Sequence, residues 1–312
     1  MAPPVEWKPN MLARLLIATY LVQLLTGALL SAWWFADSHQ GGPLLLLAVA
    51  GGVAWIVWWQ AVIIGFAMLK SRPAGPIAPW IKAAWGEFKA ALLIFGLRQP
   101  WGRTKPMVLP HEMPSKTDSS ALPVLLVHGF ICNHRVWNKV AHALRHEGHT
   151  VLSLDLEPLF ASIDDYAPLI NHAVDTLLSQ TGASKVVLVG HSMGGLAIRA
   201  WMRAFGTEKA ARVITLGTPH QGTQVSQWFS TPNGRQMAWH SDWLADLSQS
   251  ETPAHRQLMR LALTHHDNIV HPQRAQTLDG VQVTEFTGIG HLQMCLDNDV
   301  IRWLVQQVHD AQ

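Results

Sequence analysis

The chain has 312 residues, of which 49% are hydrophobic and only 14% charged, and its formal net charge is +2. That length holds one large domain or two smaller ones. A near-neutral balance, with no basic stripe interleaved with aromatics, excludes nucleic acid as a partner. The charge is unevenly spread: residues 1–105 carry nine Lys/Arg against three acids, and the remainder carries fourteen against eighteen.

The first predicted element is the uncharged stretch 15–36; the second lies between Asp37 and Lys70 and is apolar from near Pro43. A helix rises about 1.5 Å per residue, so each can cross a hydrocarbon core of about 30 Å. Residues 1–72 are therefore expected to form two transmembrane helices. A cleaved signal peptide is the alternative, but the first run is long for one, has no clear A-x-A site and is followed by a second span. Trp33 and Trp34 end the first span, where indoles favour the interface. Trp55, Trp58 and Trp59 fall mid-span as packing or lipid-facing residues. The connecting loop 37–42 has no Lys or Arg, whereas Lys8, Arg14, Lys70 and Arg72 flank the outer ends. The positive-inside rule then puts both ends, and the C-terminal domain, in the cytoplasm.

Residues 73–120 read as a juxtamembrane helix and a Pro-rich linker. The helix, 78–98, presents Trp80, Ile81, Ala84, Trp85, Phe88 and Leu92 on one apolar face, suited either to a membrane interface or to packing on the next domain. The stretch 106–123 is rich in Pro, Ser and short polar residues.

Residues 121–312 alternate short apolar runs with helical patterns. Strands are predicted at 124–127, 151–154, 186–189 and 213–216, with helices at 136–145, 166–178 and 193–204 between them. Continuous apolar runs separated by helices indicate a parallel sheet covered on both faces, and right-handed crossovers make it a doubly wound α/β fold. Sites in such sheets lie beyond the carboxyl ends of the strands, where His128, Ser192 and Thr218 fall. The alternation breaks at about 220–257, where Trp228, Phe229, Trp239 and Trp243 sit among polar residues. That segment reads as a candidate lid or as plain excursion packing. Alternation resumes with strands at 258–264 and 281–286 and a last helix at 297–308. Cys132 and Cys295 form no framework and are expected to be free.

Gly190-His191-Ser192-Met193-Gly194 lies between an apolar strand and a helix. That setting suits a nucleophile elbow, which leaves a serine hydroxyl exposed at a tight turn. A serine needs a base, and the base needs an orienting acid. In the chain order Ser, acid, His, Asp267 follows the strand 258–264, and His291 follows the strand 281–286. Asp242 and Asp246 are alternative acids, but they lie in the irregular segment. Asp267 also sits among His265, His266 and His271, so a metal cluster is the other reading of that region. His220 precedes Asp267 and breaks the order; His191 reads as a packing residue. The oxyanion hole is expected from the backbone N–H groups of Met193 and of Phe130, in the loop after the first strand.

Val127-His128-Gly129-Phe130, Gly190-His191-Ser192-Met193-Gly194-Gly195, Leu216-Gly217-Thr218-Pro219-His220-Gln221-Gly222-Thr223, Asp267-Asn268-Ile269-Val270 and Gly290-His291 together resemble the lipase/esterase branch of the α/β-hydrolase superfamily, bacterial triacylglycerol lipases among them. The resemblance covers about 121–309 and leaves the two N-terminal spans outside it. It implies a serine hydrolase with Ser192, Asp267 and His291 as triad, cleaving esters through an acyl-serine and requiring no cofactor; the two expected spans make it membrane-anchored, and with the candidate lid they suggest lipid or other apolar acyl esters. An acyltransferase, a thioesterase or peptidase, and a non-catalytic membrane scaffold remain as alternatives.

Overall fold

The computed structural model describes residues 11–35, 44–101, 108–110 and 121–312. The seven strands are β1 (Val108–Leu109), β2 (Val124–Val127), β3 (Val151–Leu154), β4 (Val186–His191), β5 (Ala210–Leu216), β6 (Met259–Thr264) and β7 (Gln282–Phe286). They form one sheet in the order β1-β3-β2-β4-β5-β6-β7. All neighbours are parallel except β1, which pairs antiparallel with β3 at the edge.

The strands divide their side chains with period two, as a pleated strand must. Leu125, Val127, Val186 and Leu188 enter one buried cluster; Val124, Leu126, Val187 and Val189 enter the other. The helices are α1 (Met11–Phe35), α2 (Leu44–Lys70), α3 (Ile77–Ala91), α4 (Asn138–His146), α5 (Ala167–Thr181), α6 (Met193–Phe205), α7 (Pro232–Gln236), α8 (Asp242–Gln249), α9 (Pro253–Gln257) and α10 (Asn298–His309). Helices α5 and α6 supply Ile170, Val174, Leu196 and Trp201 to the first cluster. Helices α4 and α10 supply Val140, Leu144, Val300 and Leu304 to the second. Two covered faces explain why β2, β3 and β4 are buried along their whole length. The chain therefore has a mostly parallel, doubly wound α/β fold, preceded by two long apolar helices.

Helices α1 and α2 pack against each other through small residues. A Cβ on Gly27 would lie 2.5 Å from the Trp55 Cβ, and one on Gly51 would lie 2.4 Å from the Ser31 Cβ. Ser31 Oγ donates to Leu47 O at 2.9 Å. Such close approach through Gly and Ser is how apolar helices associate without a hydrophobic driving force. Both helices are long and apolar enough to cross a membrane. The start of α1 and the end of α2 both meet the α/β domain: the Met11 N–H donates to Glu157 Oε1, and Gln273 Nε2 donates to Ser71 O.

Three expectations change. The stretch 106–123 is not linker throughout, because Val108 and Leu109 add the edge strand β1. Two residues are too few to show a period. Helix α3, continued by a wider turn through Leu92–Arg98, packs only part of its aromatic face, with Trp80, Ala84 and Phe88 half-buried against the second cluster. It buries Ala83, Gly86, Glu87, Ala90 and Ala91, while Ile81 and Trp85 stay 52% and 60% exposed. Small side chains let it approach closely: a Cβ on Gly86 would lie 2.0 Å from Gln293 Oε1. Strand β5 starts three residues earlier than expected, since Ala210, Ala211 and Arg212 carry little apolar signal. The loop expected at 37–42 lies outside the described residues. The irregular segment becomes a helical turn, Gln224–Trp228, followed by α7, α8 and α9. Leu244 and Leu247 of α8 pack into the first cluster, whereas Trp228 is 61% exposed.

Candidate active site

Strand β4 ends at His191 and α6 begins at Met193, so Ser192 alone makes the turn. Its backbone has φ 55° and ψ −130°. A non-glycine residue there is strained, and it holds only because its surroundings over-determine it. The surroundings are visible. The Ser192 N–H donates to Leu216 O at 2.9 Å. A Cβ on Gly190 would lie 2.5 Å from Gly195 N, and one on Gly194 would lie 2.2 Å from Val127 O. Glycine at both positions lets α6 leave the sheet beside β2 and β4. As the first residue of α6, Met193 has an N–H with no partner inside the helix.

The loop after β2 lies against this turn. A Cβ on Gly129 would stand 2.6 Å from Ser192 Cβ and 3.2 Å from its Oγ. His128 fixes the loop: Nδ1 donates to Gly129 O at 2.8 Å, and Nε2 accepts from Leu156 N–H at 3.0 Å. Those two roles require a neutral imidazole, and burial lowers its pKa accordingly. The Phe130 ring packs edge-on to Phe160 and Phe229, with centroids 5.8 and 5.2 Å away.

Asp267 and His291 come together from the ends of β6 and β7. His291 Nδ1 lies 2.7 Å from Asp267 Oδ2, with both side chains nearly sealed from solvent. A carboxylate only accepts, so Nδ1 carries the proton and Nε2 is left free to accept one. Asp267 Oδ1 accepts from the Ile269 and Val270 N–H groups, which fixes the carboxylate plane. Gly217, at φ 55°, lets the chain pass beside the pair: a Cβ there would lie 3.2 Å from both Asp267 Oδ2 and His291 Nδ1. Burial pulls the His291 pKa down, but the Asp267 charge and hydrogen bond, with Glu87 behind them, raise it above its ordinary value.

His191 links the elbow to this pair. Its ring lies 4.5 Å from that of His291, and its Nε2 donates to His291 O at 3.1 Å. Burial, then the neighbouring His291, hold its pKa well below the ordinary value, so it stays neutral. The remaining sequence candidates lie apart. Asp242 and Asp246 are exposed on α8. His220 is buried against Arg199 and Thr215. Cys132 and Cys295 are free and buried; burial pushes the Cys132 thiol up to about 12.

One residue of this neighbourhood escapes sequence reasoning. Glu87 of α3 is fully buried. Its Oε1 and Oε2 accept from the Leu292 and Gln293 N–H groups, each at 3.0 Å. A Cβ on Gly290 would lie 2.5 Å from Oε2. Glu87 therefore caps the helical turn Leu292–Cys295 that follows His291. Burial raises its pKa, while the His291 charge and the two N–H donors work against that rise. The available signal was one acid alone in an apolar helical stretch.

A strained serine between strand and helix at the end of β4, and a buried acid–imidazole pair from the ends of β6 and β7, define a nucleophile-elbow α/β protein. A model of the alpha/beta hydrolase family matches residues 124–305, and the chain belongs to that family. A triacylglycerol lipase from Pseudarthrobacter phenanthrenivorans is 33% identical over 115 residues, covering 34% of this chain and 35% of the lipase. Methylesterase 3 from Arabidopsis thaliana is 32% identical over 138 residues, covering 42% of this chain and 52% of the esterase. The chain thus spans about a third to a half of the length of these curated relatives. Among solved structures, the mature form of Bacillus licheniformis lipase BlEst2 has a TM-score of 0.55 at 18% identity, covering 64% of this chain and 97% of that one. Aspergillus fumigatus lipase B has a TM-score of 0.51 at 13% identity, covering 64% and 55%. Both share the fold.

Proposed function

We propose that this protein is a membrane-anchored serine hydrolase that cleaves apolar acyl esters. The observation that carries the reading is the buried Asp267–His291 pair: its Nδ1 hydrogen bond of 2.7 Å leaves Nε2 free, and the His291 ring lies 4.5 Å from that of His191, the residue before the strained Ser192. Ser192 Oγ attacks the acyl carbonyl as His291 Nε2 takes its proton. Asp267 stays ionised and stabilises the imidazolium. The Met193 and Phe130 N–H groups stabilise the tetrahedral oxyanion, a contribution of about 3 kcal/mol per donor. Collapse breaks the carbonyl–alcohol bond, and His291 returns the proton to the leaving oxygen. Water then repeats the sequence on the acyl-serine and frees the acid. The lipase and esterase names of the relatives support an ester substrate.

The anchor is the α1–α2 pair, residues 1–72, with 73–120 joining it to a catalytic domain at 121–312 and lending that domain its edge strand β1. The contacts of Met11 and Ser71 with that domain support a hairpin whose two ends share one side of the bilayer. The basic flanks put that side in the cytoplasm. A C-terminal alkaline phosphatase fusion should therefore be inactive, and high periplasmic activity would reverse the topology. Ser192→Ala should abolish ester hydrolysis by the purified full chain. A fully active variant would end the hydrolase reading.

A further inference from the structure

A cavity of about 560 Å³ lies between the last turns of α2 and the segment after β5. Its volume falls in the range of about 300–1,000 Å³ usual for small-ligand sites. One wall is the α2 face carrying Ile63, Phe66 and Lys70; the other carries Val225, Phe229 and Ile269. The α2 wall is held in place from behind, because Ile64 and Met68, on the neighbouring face, are buried in the second core cluster. The Phe66 and Trp228 rings meet at the rim, with centroids 6.1 Å apart.

The cavity borders the candidate site on two sides. Phe229 packs edge-on to Phe130, the residue after the glycine that touches Ser192. Asn268, in the same lining, follows Asp267 and accepts the His291 N–H through Oδ1 at 3.2 Å. Asn268 Nδ2 is buried and has no hydrogen-bond partner among the described residues. A buried donor without a partner is costly, and such groups call for an explanation. The lining thus includes, through Asn268, a residue that touches the His291 backbone and keeps one sealed, unused donor, while the rest is mostly apolar and leads back along a helix long enough to span a bilayer.

We infer that this cavity is the acyl-chain site, and that its occupant is the tail of a bilayer lipid ester entering sideways along α2. The tail lies against Ile63, Phe66 and Val225. Asn268 Nδ2 donates to a polar oxygen near the scissile ester. The inference rests on the hydrolase reading for the identity of the reacting bond, but not for the location of the tail.

Two arms test it on the full chain. In the first, Ile63→Trp and Val225→Trp each fill the cavity, and kcat/KM is measured on p-nitrophenyl laurate and p-nitrophenyl acetate. The laurate-to-acetate ratio should fall about tenfold or more, since lost apolar contact is felt per methylene. An unchanged ratio would overturn the site. In the second, Ser192→Ala protein in phosphatidylcholine vesicles is irradiated with a phosphatidylcholine carrying a diazirine in its tail. Crosslinks should map to Val225, Phe229 or Ile269 as well as to α2, and the Ile63→Trp change should deplete those in the catalytic domain. Crosslinks confined to α1 and α2 would overturn the site. Absence of hydrolysis of either ester by the unaltered protein would instead sink the hydrolase reading, and the crosslinks would still locate the tail.

Discussion

Glu87 ties helix α3 to the loop that carries His291, and its replacement separates fold from the proposed chemistry. Glu87→Ala removes both acceptors and leaves the Leu292 and Gln293 N–H groups buried without partners. Each such group costs about 1–3 kcal/mol, so the loss is about 2–6 kcal/mol. A whole domain is stable by only about 5–15 kcal/mol. The alanine variant should therefore be close to unfolding. Glu87→Gln keeps the shape and one carbonyl oxygen, but turns an NH2 group toward the second N–H. Its cost should be about 1–3 kcal/mol, which leaves a folded protein. It also removes a negative charge that helps to raise the His291 pKa. The assay is a thermal melt of the full chain in lipid nanodiscs, paired with kcat/KM against pH on a short ester. The glutamine variant should melt lower, and the acid limb of its profile should move to lower pH. If Glu87→Gln leaves both the melting temperature and the acid limb unchanged, Glu87 neither seats the loop nor acts on the base.

Three more predictions concern the same site. The raised His291 pKa means that kcat/KM climbs with pH through an apparent value above the ordinary histidine pKa of 6.5. The neutral imidazole is the working base, so activity is present above that value and lost as pH falls through it. Asp267→Asn should lower kcat by about four orders of magnitude, because the wrong tautomer is then held; an unchanged pH–rate profile in that variant would deny the pair its role. Gly129→Ala should cost activity and about 1–3 kcal/mol of stability, because the new methyl group meets Ser192 Cβ at 2.6 Å and the His191 carbonyl at 3.1 Å. Hydrolysis rates and melts of that variant check it, and unaltered values would mean that the loop can retreat.

The parts of the fold that were readable are those where local pattern and tertiary role coincide. Strands β2, β3 and β4 are buried on both faces, so their runs are apolar but for Ser153 in β3 and the Gly190-His191 end of β4. Ser192, Asp267 and His291 fall after β4, β6 and β7, a strand-end placement and chain order that the local patterns already carry. Other features depend on distant pairings that leave no local trace. Strand β1 is two residues long and is defined only by its pairing with β3. The buried face of α3 is made of Ala and Gly, whose apolar signal is weaker than that of the exposed Ile81 and Trp85. Glu87 looks like a solvated acid until the backbone 205 residues away is seen to donate to it. The cavity along α2 needs three separated segments and belongs to none of them.

The central claim is that Ser192 is an activated nucleophile in the folded, membrane-inserted chain. A fluorophosphonate probe reacts with such a serine and not with an ordinary one. Applied to the full chain in lipid nanodiscs and followed by peptide mass spectrometry, it should modify Ser192 alone, with labelling lost in Ser192→Ala and strongly slowed in Asp267→Asn. Folded protein that takes up no label, or takes it up at another residue, would contradict the account.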